Sequence, residues 1–87
     1  MQSKKAEIQQ LITIANEQIQ IHEIDHSYWG TEQDINVTNN FFERVGMLFN
    51  IDVAEDDEWG TYLLKATVTE SYEFALGHLN TLHIECE

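Results

Sequence analysis

The chain has 87 residues, which makes one domain spanning residues 1–87, and its 16 acidic residues against four Lys and Arg give a formal net charge of −12. A surface of that charge repels phosphates and anionic headgroups, which argues against direct binding to nucleic acid or to membranes. The apolar content of 43% is typical of a folded domain, so the charge does not indicate disorder.

The single cysteine, Cys86, cannot form an internal disulfide, which fits a reducing compartment. No apolar run approaches the roughly 18 residues that a membrane span requires. Residues 1–10 lack the apolar segment of a secretory signal. We therefore expect a soluble, cytoplasmic protein.

A first helix is predicted to begin after Ser3, a candidate N-cap, because apolar residues and two histidines recur between residues 8 and 26 at steps of three and four. Gly30 follows shortly and is a natural stop for this helix. Ile14 and Ile21 fall outside the stripe. They indicate either scattered surface positions or a second, narrower contact face.

The segment after Gly30 predicts a second helix whose start is open by about one turn. Thr31 and Asp34 are candidate N-caps, and residues 38–40 offer a later start. The remaining apolar residues of the segment would form one broad buried face: Val37, Phe41, Phe42, Val45, Leu48 and Phe49.

A third helix is predicted after the acidic run at residues 55–58, where Asp56 or Asp57 is the candidate N-cap. Apolar residues then hold helical phase from Leu64 to Leu82 without a break. The predicted fold is therefore all-α, a small three-helix bundle with up-down-up topology.

An α+β fold is the alternative. Residues 49–53 alternate between apolar and polar side chains, and residues 61–69 are rich in strand-forming residues. A hairpin around residues 49–69, followed by a helix from about Ser71, would satisfy the same pattern. We favour three helices because the phase between residues 64 and 82 is continuous.

Residues 22–26 spell H-E-x-x-H, the zinc-binding pattern of many metallopeptidases, in which two histidines one turn apart hold the metal and the glutamate polarises its water. In an up-down-up bundle the first and third helices end at the same pole. All four histidines would then lie together near Cys86. A metal-binding protein, or even a zinc hydrolase, is therefore an alternative based on His22, His26, His78 and His83.

A non-catalytic interpretation of this motif is preferred. The pattern fixes only three positions in a chain that contains four His and many Glu. A domain of this size also leaves little room for a substrate cleft. We therefore predict that the protein is not an enzyme, and we assign no catalytic residue, cofactor or metal.

The negative charge exceeds the magnitude of about 2–8 that keeps a small domain soluble, and the excess lowers folding stability by self-repulsion. We therefore expect the carboxylates to serve in binding a basic protein. The candidate contact residues are acidic, with one neighbouring aromatic: Glu32, Asp34, Asp52, Glu55, Asp56, Asp57, Glu58, Trp59, Glu70 and Glu73.

The predicted function is that of a non-enzymatic inhibitor that occupies the basic, nucleic-acid-binding surface of a partner, such as a nuclease. In size, acidity and expected rigidity the whole chain resembles small phage-encoded inhibitors of host defence nucleases, including anti-restriction proteins, anti-CRISPR proteins and DNA mimics. A third alternative is a regulatory or assembly subunit, in which Ile14, Ile21 and Trp29 mark a homo-oligomer contact. The sequence leaves the oligomeric state open.

Overall fold

The computed structural model of the chain describes residues 4–65 and 67–85, without the side chains of residues 62–65. It contains α1 (Lys4–Ile24), a one-turn 3-10 helix (His26–Tyr28), α2 (Glu32–Phe49), α3 (Asp57–Lys65) and α4 (Val68–Glu85). The described residues include no β-strand. The predicted all-α bundle is therefore confirmed, and the alternative hairpin around residues 49–69 is wrong.

The third predicted helix is divided, and its residues form α3 and α4. The Thr67 hydroxyl accepts the Glu70 backbone N–H at 3.2 Å and donates to the Glu70 carboxylate at 3.1 Å. This T-x-x-E capping pattern begins a new helix at Val68. It lets the chain reverse direction after the nine residues of α3.

Side-chain contacts fix the directions of the long helices. Arg44 of α2 contacts Glu7 near the start of α1, whereas Asp34 at the start of α2 lies beside His22 near the end of α1. The His22 ring also lies 6.3 Å from the ring of Tyr72, which is near the start of α4. Both α2 and α4 therefore run antiparallel to α1.

The core lies mainly between α1 and α4, which form the most extensive helix pair. Ile8, Leu11 and Ala15 of α1 have no exposed surface. They match the stripe predicted from the sequence, and burying a side chain the size of Leu or Ile stabilises the fold by roughly 1.5–3 kcal/mol. The other buried apolar residues of this cluster come from α2, α3, α4 and the loop: Phe41, Phe42, Val45, Val53, Trp59, Tyr72, Ala75 and Leu79.

The loop between α2 and α3 is held by backbone hydrogen bonds. Asn50 adopts a left-handed conformation with φ 58°, and the Ile51 N–H donates to the Gly46 carbonyl oxygen at 2.9 Å, as in a Schellman motif. Asp56 then caps α3, because its carboxylate accepts the backbone N–H groups of Glu58 and Trp59 at 3.0 and 3.1 Å. This confirms Asp56 as one of the two predicted N-caps.

The loop packs directly on α2 at Gly46. A Cβ atom there would lie 2.9 Å from the Ile51 carbonyl oxygen and 3.2 Å from Val53 Cγ2. Only glycine therefore allows the loop backbone to lie this close to the helix.

No helix in the described part of the chain is both long enough and apolar enough to cross a bilayer.

We predict that Gly46→Ala lowers the free energy of unfolding by about 1–3 kcal/mol, because the added methyl group overlaps the backbone of Ile51. Gly77→Ala is the matched control, since Gly77 is also inside a helix but a methyl group added there would meet no atom within 4 Å. It should raise stability by roughly 0.5–1 kcal/mol through helix propensity. Urea denaturation of both variants measures the difference, and equal effects would contradict the close approach.

Candidate functional site

The H-E-x-x-H residues do not lie on one continuous helix. α1 ends at Ile24, and Asp25 has an extended conformation (φ −126°, ψ 95°) in which its carboxylate caps the following 3-10 helix. His22 is only 2% exposed, whereas His26 is exposed. The two imidazoles therefore lack the one-turn helical spacing that the zinc pattern requires.

Both ring nitrogens of His22 face protein oxygens. Nδ1 lies 2.6 Å from the Gln18 carbonyl oxygen, which requires an N–H on this nitrogen. Nε2 lies 2.9 Å from Asp34 Oδ1, within ion-pair distance, although the ring N–H direction does not give a hydrogen bond there. His22 therefore uses Nδ1 as a donor to the backbone, and its Nε2 is buried against Asp34.

The prediction that the four histidines cluster at one end is wrong, because α4 runs antiparallel to α1. His78 packs instead against the rings of Phe74 and Trp59, with centroids 4.7 and 5.1 Å away. Among the side chains that the structure describes, no three His, Cys, Asp or Glu form a group that could hold a metal ion. Cys86, which was expected near this cluster, lies outside the described residues.

A buried polar junction joins the end of α1 to the starts of α2 and α4. Asp34 is 5% exposed, and its carboxylate accepts the Gly30 backbone N–H at 2.8 Å. The Thr38 hydroxyl lies 3.5 Å from the same carboxylate and 2.9 Å from the Tyr72 hydroxyl. His22 completes this junction through its contact with Asp34.

Burial raises the pKa of the Tyr72 phenol from its ordinary value of 10.0 to about 12. Loss of solvent around the phenolate is the main cause; the hydrogen bond with Thr38 opposes it, and the negative charge of Asp34 adds to the rise. All these groups contact one another inside the protein. The junction therefore joins the ends of three helices, and Asp34, one of the predicted contact acids, lies buried within it.

Trp59, the aromatic residue of the predicted contact set, is buried as well. It is 6% exposed, and its ring lies 5.7 Å from that of Phe49 and 4.8 Å from that of Phe74. It fills the space between α2, α3 and α4. Its aromatic ring therefore packs in the core.

The acids around α3 form one exposed group. Asp52, Glu55, Asp57 and Glu58 all lie on the loop and first turn of α3, and we call these four residues the acidic loop surface. Asp56 is partly buried and is occupied in capping α3. The structure therefore keeps four of the five predicted acids of this segment at the surface.

Apart from the buried Asp34, the predicted contact acids outside this segment are exposed as well. Glu73 lies on α4 and lines a shallow depression together with Phe74 and His78. His78, which lines the same depression, is 3.7 Å from Glu58 of the acidic loop surface. Glu70 is bound by the Thr67 hydroxyl. Glu32 lies at the opposite end of α2, about 25 Å from the loop at a rise of about 1.5 Å per residue.

Few cations compensate these acids. Arg44 is directed to α1, where its Nε and Nη2 atoms both lie 2.9 Å from Glu7 Oε1 and Nη2 donates to Gln10. Of the fifteen acidic residues that the structure describes, twelve are exposed. Among the side chains that the structure describes, the acidic loop surface has one partner that can carry positive charge, His78, and it does so only when its imidazole is protonated.

Sequence reasoning missed Met47, which is 76% exposed although it lies inside α2. The sequence pattern could have indicated this exposure, because Met47 lies outside the stripe formed by Phe41, Val45 and Leu48. Of the residues predicted to mark a homo-oligomer contact, Ile14 packs against the core and Trp29 is 52% exposed. Ile21 is partly buried.

The comparisons with known proteins give no further information about this site. No family model, no curated protein and no solved structure matches the chain.

We predict that folding stability falls as the pH rises from 10 to 12. In the folded protein Tyr72 retains its proton up to about pH 12, whereas in the unfolded chain it ionises near 10.0. The folded state thus binds more protons in this interval, so the stabilisation is complete below pH 10 and is lost as the pH passes through the folded pKa. Urea denaturation at a series of alkaline pH values measures the slope.

Tyr72→Phe is the control for this slope. It removes the titrating group and its hydrogen bond with Thr38, which should cost about 0.5–1.5 kcal/mol at neutral pH. Between pH 10 and 12 the variant should lose less stability than the parent protein. Parallel curves for the two proteins would show that Tyr72 does not titrate on unfolding.

Proposed function

We propose that this chain is a non-enzymatic inhibitor that covers a basic, nucleic-acid-binding surface of a partner protein. The observation that best supports this proposal is the acidic loop surface. Its exposed carboxylates lie on a segment whose backbone is fixed by its own hydrogen bonds. Asp52 accepts the Ala54 N–H at 3.1 Å, and Asp56 caps α3. The neighbouring acids are therefore displayed from a rigid support, which reduces the entropy lost on binding.

The sign of the charge selects the kind of partner. A net charge of −12 on 87 residues repels nucleic acid and attracts surfaces rich in Lys and Arg. Such surfaces are common where a protein contacts phosphates, since each phosphate contact is made largely by basic side chains. Proteins that act on nucleic acid, including nucleases, are therefore the partner class that fits best.

The buried titratable groups support binding over catalysis. His22, Asp34 and Tyr72 would be the natural acid–base candidates, but they contact one another in the interior. A catalytic group must reach the atoms of its substrate. The exposed acids are instead spread over the surface, which suits long-range attraction and fast association.

The specific form proposed is an anti-defence inhibitor of the phage type, acting in the cytoplasm on a host nuclease. Size, acidity and a rigid helical scaffold support this form. The lone cysteine fits the same reducing setting.

The test is capture of basic host proteins by the parent chain and by two variants of equal net charge. In the first variant Glu55, Asp57 and Glu58 become Gln, Asn and Gln. In the matched control, three exposed acids elsewhere are neutralised: Glu17→Gln, Glu23→Gln and Glu85→Gln. The parent and control should retain a nucleic-acid-binding protein, and the first variant should associate on the order of tenfold more slowly, more so at low salt.

Competition completes this experiment. Added DNA or RNA should displace the captured protein, because both ligands would occupy the same basic surface. Equal retention by both variants would show that the acidic loop surface is not the contact. A partner whose binding is unaffected by nucleic acid would contradict the proposed mode of inhibition.

We also predict that added salt raises the melting temperature. The Debye length falls from about 30 Å at 0.01 M to about 8 Å at 0.15 M ionic strength, so mutual repulsion of the exposed acids is screened. The variant with neutralised Glu55, Asp57 and Glu58 should melt higher than the parent at low salt and respond less to salt. Thermal unfolding followed by circular dichroism measures both effects, and a flat response would mean that repulsion is insignificant.

A further inference from the structure

An open groove of about 670 Å³ runs between the C-terminal half of α2 and the loop that follows it. Phe42 and Val53, each 6% exposed, contribute its buried apolar lining, and the exposed Met47 borders it. Glu43 and Asp52 also line the groove, and both are exposed. The groove thus combines an apolar interior with two carboxylates.

The loop side of this groove is preformed. The Schellman hydrogen bonds at Gly46 and Asn50 fix where the loop leaves α2, and the backbone of Ile51 rests against Gly46. The backbone on this side of the groove is therefore fixed before any ligand binds. A ligand that enters it loses little free energy in ordering the loop.

Met47 is a large apolar side chain that remains exposed to solvent in this groove. It is 76% exposed, although the adjoining Phe42 and Val53 belong to the core. An apolar side chain placed in the groove would remove Met47 from water and extend the core outward. The flexible thioether of methionine adapts well to such a contact.

The charges at the groove select its occupant. Arg44 follows Glu43 in sequence, but it binds Glu7 and Gln10 on α1, and no described side chain forms an ion pair with Glu43. In the described structure, the Asp52 carboxylate has only the Ala54 backbone N–H as a partner. Two carboxylates that have no cationic partner among the described side chains favour an apolar side chain with Lys or Arg on either side. A second copy of this acidic chain would be repelled.

We propose that the groove seats one apolar side chain of a basic partner segment, with flanking Lys or Arg residues on Glu43 and Asp52. This inference rests on the proposed function and names the part of the partner that is recognised. The groove also adjoins the acidic loop surface, because Asp52 belongs to both. One partner surface can therefore contact both at once.

The first test uses a short synthetic peptide with a single leucine between paired lysines, and a matched peptide with serine in place of leucine. Binding is followed by NMR titration of the full chain. The leucine peptide should shift the amide signals of Gly46, Met47 and Ile51 and bind about tenfold more tightly, since burying leucine is worth roughly that factor or more. Equal affinity of the two peptides would overturn the proposal.

The second test separates the apolar and the charged contributions. Met47→Gln should remove the preference for leucine, whereas Ile84→Gln, which changes a 69% exposed apolar residue of α4, should not. Glu43→Gln with Asp52→Asn should weaken both peptides and reduce the salt dependence, while Asn can still accept the Ala54 N–H. The control of equal charge, Glu17→Gln with Glu23→Gln, should have a smaller effect.

The possible failures are distinguishable. If both peptides bind equally at residues 52–58 and Met47→Gln has no effect, the groove is not a binding site and the proposed function still stands. Leucine-dependent shifts that fall on α1 or α4 would place the apolar contact elsewhere and overturn the groove. If neither peptide binds and the basic host protein is not captured, both proposals are wrong.

Discussion

The structure depends on burial of one apolar stripe of α4 against one apolar stripe of α1. Ile8, Leu11 and Ala15 meet a helix whose Tyr72 and Leu79 are also fully buried. A chain this short buries only a limited apolar area on folding, so these two stripes must pack against each other for the domain to be stable. The reversal of the chain after α3, begun by the cap at Thr67, is what brings the two helices into antiparallel contact.

That antiparallel contact also determines the role of the ionisable residues. It places Tyr72 beside the end of α1, where His22, Asp34 and Thr38 already meet. These side chains therefore connect the end of α1 to the starts of α2 and α4. The same geometry places His78 away from His22, in an aromatic cluster with Trp59, so these two histidines belong to separate parts of the fold.

The acids divide into those that hold the fold and those that face solvent. Asp34 and Asp56 satisfy backbone N–H groups, and Glu7 pairs with Arg44. Fixing the loop by such internal contacts displays the neighbouring carboxylates from a rigid position. The preformed groove beside Met47 lies on the same loop. Together they form the surface on which the proposed inhibitor would recognise a basic partner through charge and one apolar anchor.

The sequence by itself determined the helical class, the buried stripe of α1, the cap at Asp56 and the net negative charge, because these depend on local spacing and on composition. The sequence also contains the capping pattern at Thr67. However, the apolar residues keep the same helical phase before and after Thr67, and periodicity alone does not show where one helix ends and the next begins. Only the tertiary structure decided that Asp34 and Trp59 are buried, that the histidines lie apart and that Met47 borders a groove. These outcomes follow from which helices meet and in which direction, and that depends on contacts between residues distant in sequence.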